Sequence, residues 1–239
     1  TKAGSARKVL SLGRVQTPTL ALIVNRDLAI QDFVPEDYWE VSATFATSTG
    51  ARYVGLWHDG GTNRLKAADP AEAIVDAVGG KPAVVESLET KPQTEQSPQL
   101  YDLTTLQREA NRRFGFSASR TLSAAQALYD QHKVLTYPRT NSRYLSTDMI
   151  AQLKPTAAQV GAASPVYADA ARYVIGLDKL PLGKVINDAK VTDHHAIIPA
   201  MQRVDPAALP PDEKRLYDRI ARRFLAAFYP DADLKRTTV

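Results

Sequence analysis

LYDLTTLQREANRRFGFSASRTLSAAQALYDQHKVLTYPRTNSRYL, residues 100–145, holds the stretch on which the fold turns. Leu103, Leu106, Ala110 and Phe114 recur at helical spacing, and Gly115 ends the run. Ser117 opens a second helix, with Leu122, Ala125, Leu128 and Tyr129 on its inner side. A short turn then leads into VLTYPRTNSRYL, whose pattern is extended. Helix, turn, helix and extended segment together resemble the winged-helix arrangement.

Toward the N-terminus, ETKPQTEQSPQ at residues 89–99 is polar and proline-containing and reads as an interdomain connection. Residues 83–88 before it read as a strand. Asp69, Pro70, Glu72 and Gly79 punctuate a short helix as cap, first residue, capping-box partner and stop. Residues 38–46 alternate, with Trp39, Val41, Ala43 and Phe45 on one side, and pair with residues 52–58 across a turn. Residues 17–30 read as a helix whose Leu20, Ile23, Val24 and Leu28 share a face. Toward the C-terminus, helices are expected at residues 147–153 and 165–175, the second capped by Ser164 and stopped by Gly176. A last helix at residues 212–228 should bury Leu216, Ile220, Phe224 and Phe228, with Arg215, Arg219, Arg222 and Arg223 largely opposite. LKRTTV at residues 234–239 looks like a strand without its partner.

The chain has 239 residues, room for one large domain or two to three small ones. Hydrophobic residues make up 44%, enough for a buried core. With no cysteine, disulfides, thiolate metal sites and cysteine catalysis are excluded. No apolar run is long enough to span a bilayer and no apolar leader opens the chain, so a cytoplasmic protein is expected. The net charge is only +4, but its distribution is uneven. Residues 107–143 carry Arg108, Arg112, Arg113, Arg120, Lys133, Arg139 and Arg143 against Glu109 and Asp130, a local field suited to a polyanion. A solvated helix face would give the same composition.

Three stretches carry chemistry. In LTYPRTNSRYLS, Tyr137 and Arg139 are two apart, which in an extended segment sets both on one face, and Pro138 stiffens the link. A phenol with a pKa of about 10 attacks a phosphodiester poorly unless a cation stands beside it. Thr140, Asn141 and Ser142 offer polar groups to phosphate oxygens, and Arg143 adds a cation. In VTDHHAIIPA, His194 and His195 precede an apolar run, and a histidine beside a scissile phosphate can donate a hydrogen bond or a proton. Neighbours rarely point the same way, so one functional and one structural histidine is favoured over a metal pair. In SLGRVQTPTL, Gly13 allows close approach while Arg14 and Gln16 can contact phosphate and base edges. Each stretch, alone, reads better as an ordinary packing segment.

Together, SLGRVQTPTLALI, the helix–turn–helix, LTYPRTNSRYL and TDHHAIIPA stand in the order found in type IA DNA topoisomerases, and their wording resembles the topoisomerase III branch. The resemblance covers essentially the whole chain. It implies that Tyr137 is the nucleophile forming a 5′-phosphotyrosine, that Arg139 positions the scissile phosphate, and that His194 is the catalytic-site histidine. Arg14, Gln16, Gln107 and Arg143 are the implied DNA contacts. Asn141 departs from the Asp common in relatives. The family's Mg²⁺ is bound by an N-terminal Toprim domain that does not precede the GRVQ helix here. The chain is therefore expected to be an expressed fragment or a partial gene, with no metal site or bound cofactor of its own.

The fold class expected is α/β, multi-domain. By resemblance, residues 1–36 belong to the GRVQ-containing domain, residues 37–90 and 230–239 to a β-rich arch, and residues 91–229 to a helical, winged-helix-like tyrosine domain. The parent would be a monomeric, nucleoid-associated isomerase that cuts one DNA strand, passes another through the break and reseals without ATP. Single-stranded DNA is its implied partner. The alternative is a winged-helix DNA-binding module without catalysis. It accounts for the helix–turn–helix and the basic run but not for YPR or HHAIIP. A recombinase would need spaced Arg and His around a helical Tyr, and a relaxase three clustered His.

Overall fold

The structure, a computed structural model, describes residues 13–238. It divides into two compact units, residues 1–86 and 87–239. Helices and small two-stranded sheets mix in one chain, so the fold is α/β.

In the first unit, helix α1 spans Gln16–Gln31. Strands β1, Ser42–Ala46, and β2, Arg52–Leu56, pair antiparallel with Phe45 opposite Tyr53, and their rings stack at 5.2 Å. Helix α2 spans Ala68–Val78 and is capped at its C-terminal end by Gly79, with Asp69 in the first turn rather than at the cap. The stripe of Leu20, Ile23, Val24 and Leu28 lies on α1, yet all four are exposed and no residue of that helix is buried. Helical periodicity reports which face is apolar, and burial needs a second apolar surface besides.

The second unit holds the large core. Helix α3, Leu103–Phe114, begins at Asp102, whose carboxylate accepts from Thr105 N at 2.6 Å, and ends at Gly115 with φ 68°. That left-handed conformation is why glycine stands there. Helix α4, Ala118–Asp130, is capped by Ser117. Helices α5, Ile150–Ala163, and α6, Pro165–Gly176, form a hairpin with Ser164 between them. Helix α7, Pro211–Ala226, buries Leu216, Ile220 and Phe224 in the core shared with α3 and α4.

The stretch read as a connection is strand β3, Glu89–Glu95, and it pairs antiparallel with β4, Ala232–Thr238. The chain's final strand therefore has its partner. Residues 83–88 form no strand. Every residue of the ribbon is exposed, so no alternation of apolar residues marks it. Pro92 fits because a two-stranded ribbon leaves one edge of each strand unpaired.

Candidate active site

The site is built on the segment after α4. Lys133, at φ 58°, turns the chain back from the helix in a conformation costly for a side-chain-bearing residue. Val134 and Leu135 are then buried, and Leu135 bridges antiparallel to Pro199. Thr136 N donates to Ile198 O at 3.0 Å, and Ile198 N donates to Thr136 Oγ1 at 2.9 Å. This backbone clamp brings the YPR and HHAIIP stretches side by side.

The clamp sets the ring of Tyr137 against that of His194, with centroids 4.4 Å apart and planes tilted by 48°. Tyr137 is half-buried and His194 exposed. The neighbouring His195 turns aside, its Nδ1 lying 2.8 Å from Ala196 O. Pro138 is buried and Arg139 exposed. Arg139 Nη2 donates to Gln126 Oε1 at 3.3 Å, leaving most of its guanidinium donors open.

Thr140 and Ser142 are not available to a phosphate. Both are buried: Thr140 Oγ1 donates to His194 O at 3.0 Å and Ser142 Oγ donates to Lys190 O at 2.8 Å. They fasten the two stretches together, and backbone carbonyls without strand partners are what claimed their hydroxyls. Asn141 stays exposed.

The expected DNA contacts fall in different settings. Arg143 Nε pairs with Asp102 Oδ2 at 3.1 Å. Burial raises the Asp102 carboxyl, but hydrogen bonds from Thr105 and Arg143 outweigh it and hold it below the usual range. Gln107 Nε2 donates to Ala118 O at 3.0 Å, bridging α3 to the start of α4. Arg14 lies exposed in the turn before α1, and Gln16 is that helix's first residue. A Cβ on Gly13 would stand 3.3 Å from Gln16 Oε1.

Sequence reading set Tyr129 on the inner side of its helix and gave Gln126 no role. Tyr129 meets Tyr137 edge-on at 5.4 Å, and Gln126 holds Arg139. Their spacing on one helix face was visible, but nothing local says that the face meets the tyrosine segment. Lys190 Nζ lies over the Tyr144 ring at 4.9 Å. Its hydrogen bond, with one from Gln99, lowers the Tyr144 phenol. Glu109 is buried and takes ion pairs from Arg113, Arg219 and Arg223 as well as the Tyr101 hydroxyl. Arg219 and Arg223 of α7 therefore face inward, contrary to the solvent-side placement expected of them.

Among the described residues no three His, Asp or Glu side chains gather where they could hold a metal ion. A divalent cation such as the Mg²⁺ of the resembled family does not fit the groups described. No described helix is long and apolar enough to cross a membrane.

The structure of full-length topoisomerase I from Thermotoga maritima aligns with a TM-score of 0.65 and 25% identity, over 95% of this chain and 35% of that one. DNA topoisomerase 3 of Shouchella clausii is 42% identical over 234 residues, and that of Bacillus subtilis 42% over 235. Each alignment covers 96% of this chain and 31% of the relative, so the chain spans about a third of those proteins. The sequence model of the DNA topoisomerase family matches residues 1–239. A full-length family match, relatives of the topoisomerase III branch and a type IA structural neighbour agree: the chain belongs to the type IA DNA topoisomerase family.

Proposed function

We propose that this chain supplies the strand-cutting tyrosine of an ATP-independent DNA topoisomerase, an isomerase acting on single-stranded DNA in the bacterial cytoplasm, at the nucleoid. Tyr137 Oη attacks the scissile phosphorus, and the bond from phosphorus to the 3′-oxygen breaks. The products are a 5′-phosphotyrosine and a free 3′-hydroxyl: the phenol's proton passes to solvent and the departing 3′-oxygen takes one up. Resealing is the reverse, with the bond energy kept in the phosphotyrosine. Arg139 neutralises charge on the five-coordinate phosphate, and His194 donates a hydrogen bond or proton to the departing oxygen. The observation that carries this reading is the ring contact between Tyr137 and His194, at 4.4 Å, with Arg139 on the same segment.

In this reading residues 91–229 form the winged-helix-like tyrosine domain. Residues 37–90 and 230–239 belong to the arch on which it swings, and residues 1–36 to the GRVQ-containing domain. Arg14 and Gln16 of the first unit, and Gln107 and Arg143 of the second, are the contacts proposed for the single strand. Mg²⁺ would be bound by a Toprim domain outside this chain, and the enzyme would act as a monomer. A DNA-binding module without catalysis is not favoured, since the matched relatives are topoisomerases.

The test is covalent trapping of a 5′-labelled and a 3′-labelled single-stranded oligonucleotide by the full-length protein. The label downstream of the cut should stay on the protein, and Tyr137→Phe should abolish the adduct while binding stays near wild type. An adduct formed by Tyr137→Phe places the nucleophile elsewhere.

A further inference from the structure

Two side chains on one face of α4 reach the tyrosine segment. Gln126 and Tyr129 are three residues apart, the spacing that makes neighbours on a helix surface. Gln126 Oε1 accepts from Arg139 Nη2 at 3.3 Å. The Tyr129 ring meets the Tyr137 ring edge-on, with centroids 5.4 Å apart and planes at 76°. Lys133 Nζ lies over the Tyr129 ring at 5.6 Å, one turn farther along. All three of Gln126, Tyr129 and Tyr137 are half-buried, and none belongs to the buried core.

The consequence is a bracketed nucleophile. A tyrosine on an extended segment has two free side-chain torsions, and one ring contact leaves it room to swing. Tyr137 meets two rings, His194 at 4.4 Å and Tyr129 at 5.4 Å. The edge-to-face geometry directs as well as packs, because the positive rim of one ring seeks the negative face of another. Arg139 has a longer stem and more torsions to fix. One bond to Gln126 uses a single guanidinium nitrogen and leaves the others for a phosphate. Positioning at this level matters, since misplacement by about 1 Å costs on the order of a hundredfold in rate.

The placement of α4 is informative too. It is the second helix of a helix–turn–helix, the element that in groove-reading proteins presents side chains to bases. Here the face carrying Gln126 and Tyr129 is turned to the chain's own tyrosine segment. We propose that Gln126 and Tyr129 are positioning residues, which hold the Arg139 guanidinium and the Tyr137 ring in register for in-line attack on one phosphate. The proposal rests on Tyr137 being the nucleophile.

The experiment uses the full-length protein and a saturating labelled single-stranded oligonucleotide. It reads the single-turnover rate of adduct formation beside the equilibrium Kd and the melting temperature. Tyr129→Phe keeps the ring edge and should retain the rate within about threefold, whereas Tyr129→Leu keeps apolar bulk without the edge and should slow it at least ~tenfold at unchanged Kd. Gln126→Ala should slow the wild type, yet add little to Arg139→Ala, because it acts through that residue. Tyr129→Leu reacting as fast as Tyr129→Phe overturns the role of the ring. Full additivity of Gln126→Ala with Arg139→Ala overturns the role of the amide. Should Tyr129→Leu melt far below Tyr129→Phe, the Gln126 cycle decides the proposal alone. An inert Tyr137→Phe beside a fully active Tyr129→Leu removes only the positioning claim, while an adduct from Tyr137→Phe removes the nucleophile with it.

Discussion

Glu109 is 7% exposed and gathers Arg113, Arg219, Arg223 and the Tyr101 hydroxyl around one carboxylate. Burial alone would raise its pKa, but the Tyr101 hydrogen bond and the three arginines outweigh it and hold it at about 2. A carboxyl depressed in the folded state stabilises above its unfolded value and loses that contribution as pH falls through the folded one. The window is therefore between about 4.5 and about 2, and the amount is on the order of 3 kcal/mol. Glu109→Gln should lower the melting temperature at pH 7 and flatten its fall below pH 4.5, and an unchanged acid slope would remove Glu109 as the titrating group. At the reaction centre, Arg139→Ala should slow adduct formation about a hundredfold, the scale of one cation at a developing charge. Arg139→Lys should recover only part, lacking the planar fork. His194→Gln should exceed His194→Ala if the ring serves as a hydrogen-bond donor, and His195→Ala should be the milder of the two alanine variants. The family resemblance brought Tyr137, Arg139 and His194 forward in the sequence, and the structure sets the Tyr137 and His194 rings in contact. Gln126 and Tyr129 were not brought forward as site residues, because helical periodicity marks which residues share a face and is silent on what that face meets.

The α5–α6 hairpin shows what a single small residue allows. A Cβ on Gly161 would stand 2.6 Å from the Cβ of Ala171, closer than two carbons can sit. Ala171 is 2% exposed, so the clash has no solvent to escape into. Gly161→Ala must push the helices apart or shift one along the other, an overpacking cost of about 1–3 kcal/mol. The double variant Gly161→Ala with Ala171→Gly should recover most of that loss, and additive melting shifts would show that the contact is not the cause. Local signals located α6 but not the length of α5, which runs on to Ala163 where a helix over residues 147–153 was expected; Ser164, Pro165 and Gly176 punctuate α6 where sequence places them. Gly115 and Ser117 do the same between α3 and α4. The β3–β4 ribbon escaped for the opposite reason. Its strands are polar, exposed on every residue and far apart in sequence, so pairing is their sole organising feature and no window of sequence contains it.

Charge at the scale of the chain is less available than composition suggests. Of the seven cations in residues 107–143, Arg113, Arg120 and Arg143 pair with Glu109, Asp212 and Asp102. Arg108, Arg112, Lys133 and Arg139 carry no ion pair in the described structure. Four phosphate contacts on a single strand give a slope of roughly −3 in log affinity against log salt, or about fiftyfold weaker binding from 50 to 200 mM. Filter binding of a single-stranded oligonucleotide by this chain checks the slope, and a flat response would show that these four cations do not meet phosphate. Binding and turnover should part company in the same preparation. The chain spans 31% of the relatives it matches, and its described residues hold no acidic cluster for a divalent cation. In the proposed cycle, strand passage needs the cut ends held apart and then returned to within bonding distance, which takes more than the contacts proposed around Tyr137. Supercoiled plasmid incubated with this chain and Mg²⁺ should therefore stay supercoiled while the oligonucleotide still binds. Relaxation that survives purification and vanishes with Tyr137→Phe would show that these 239 residues complete the cycle unaided, and the dependence on a further domain would have to be given up.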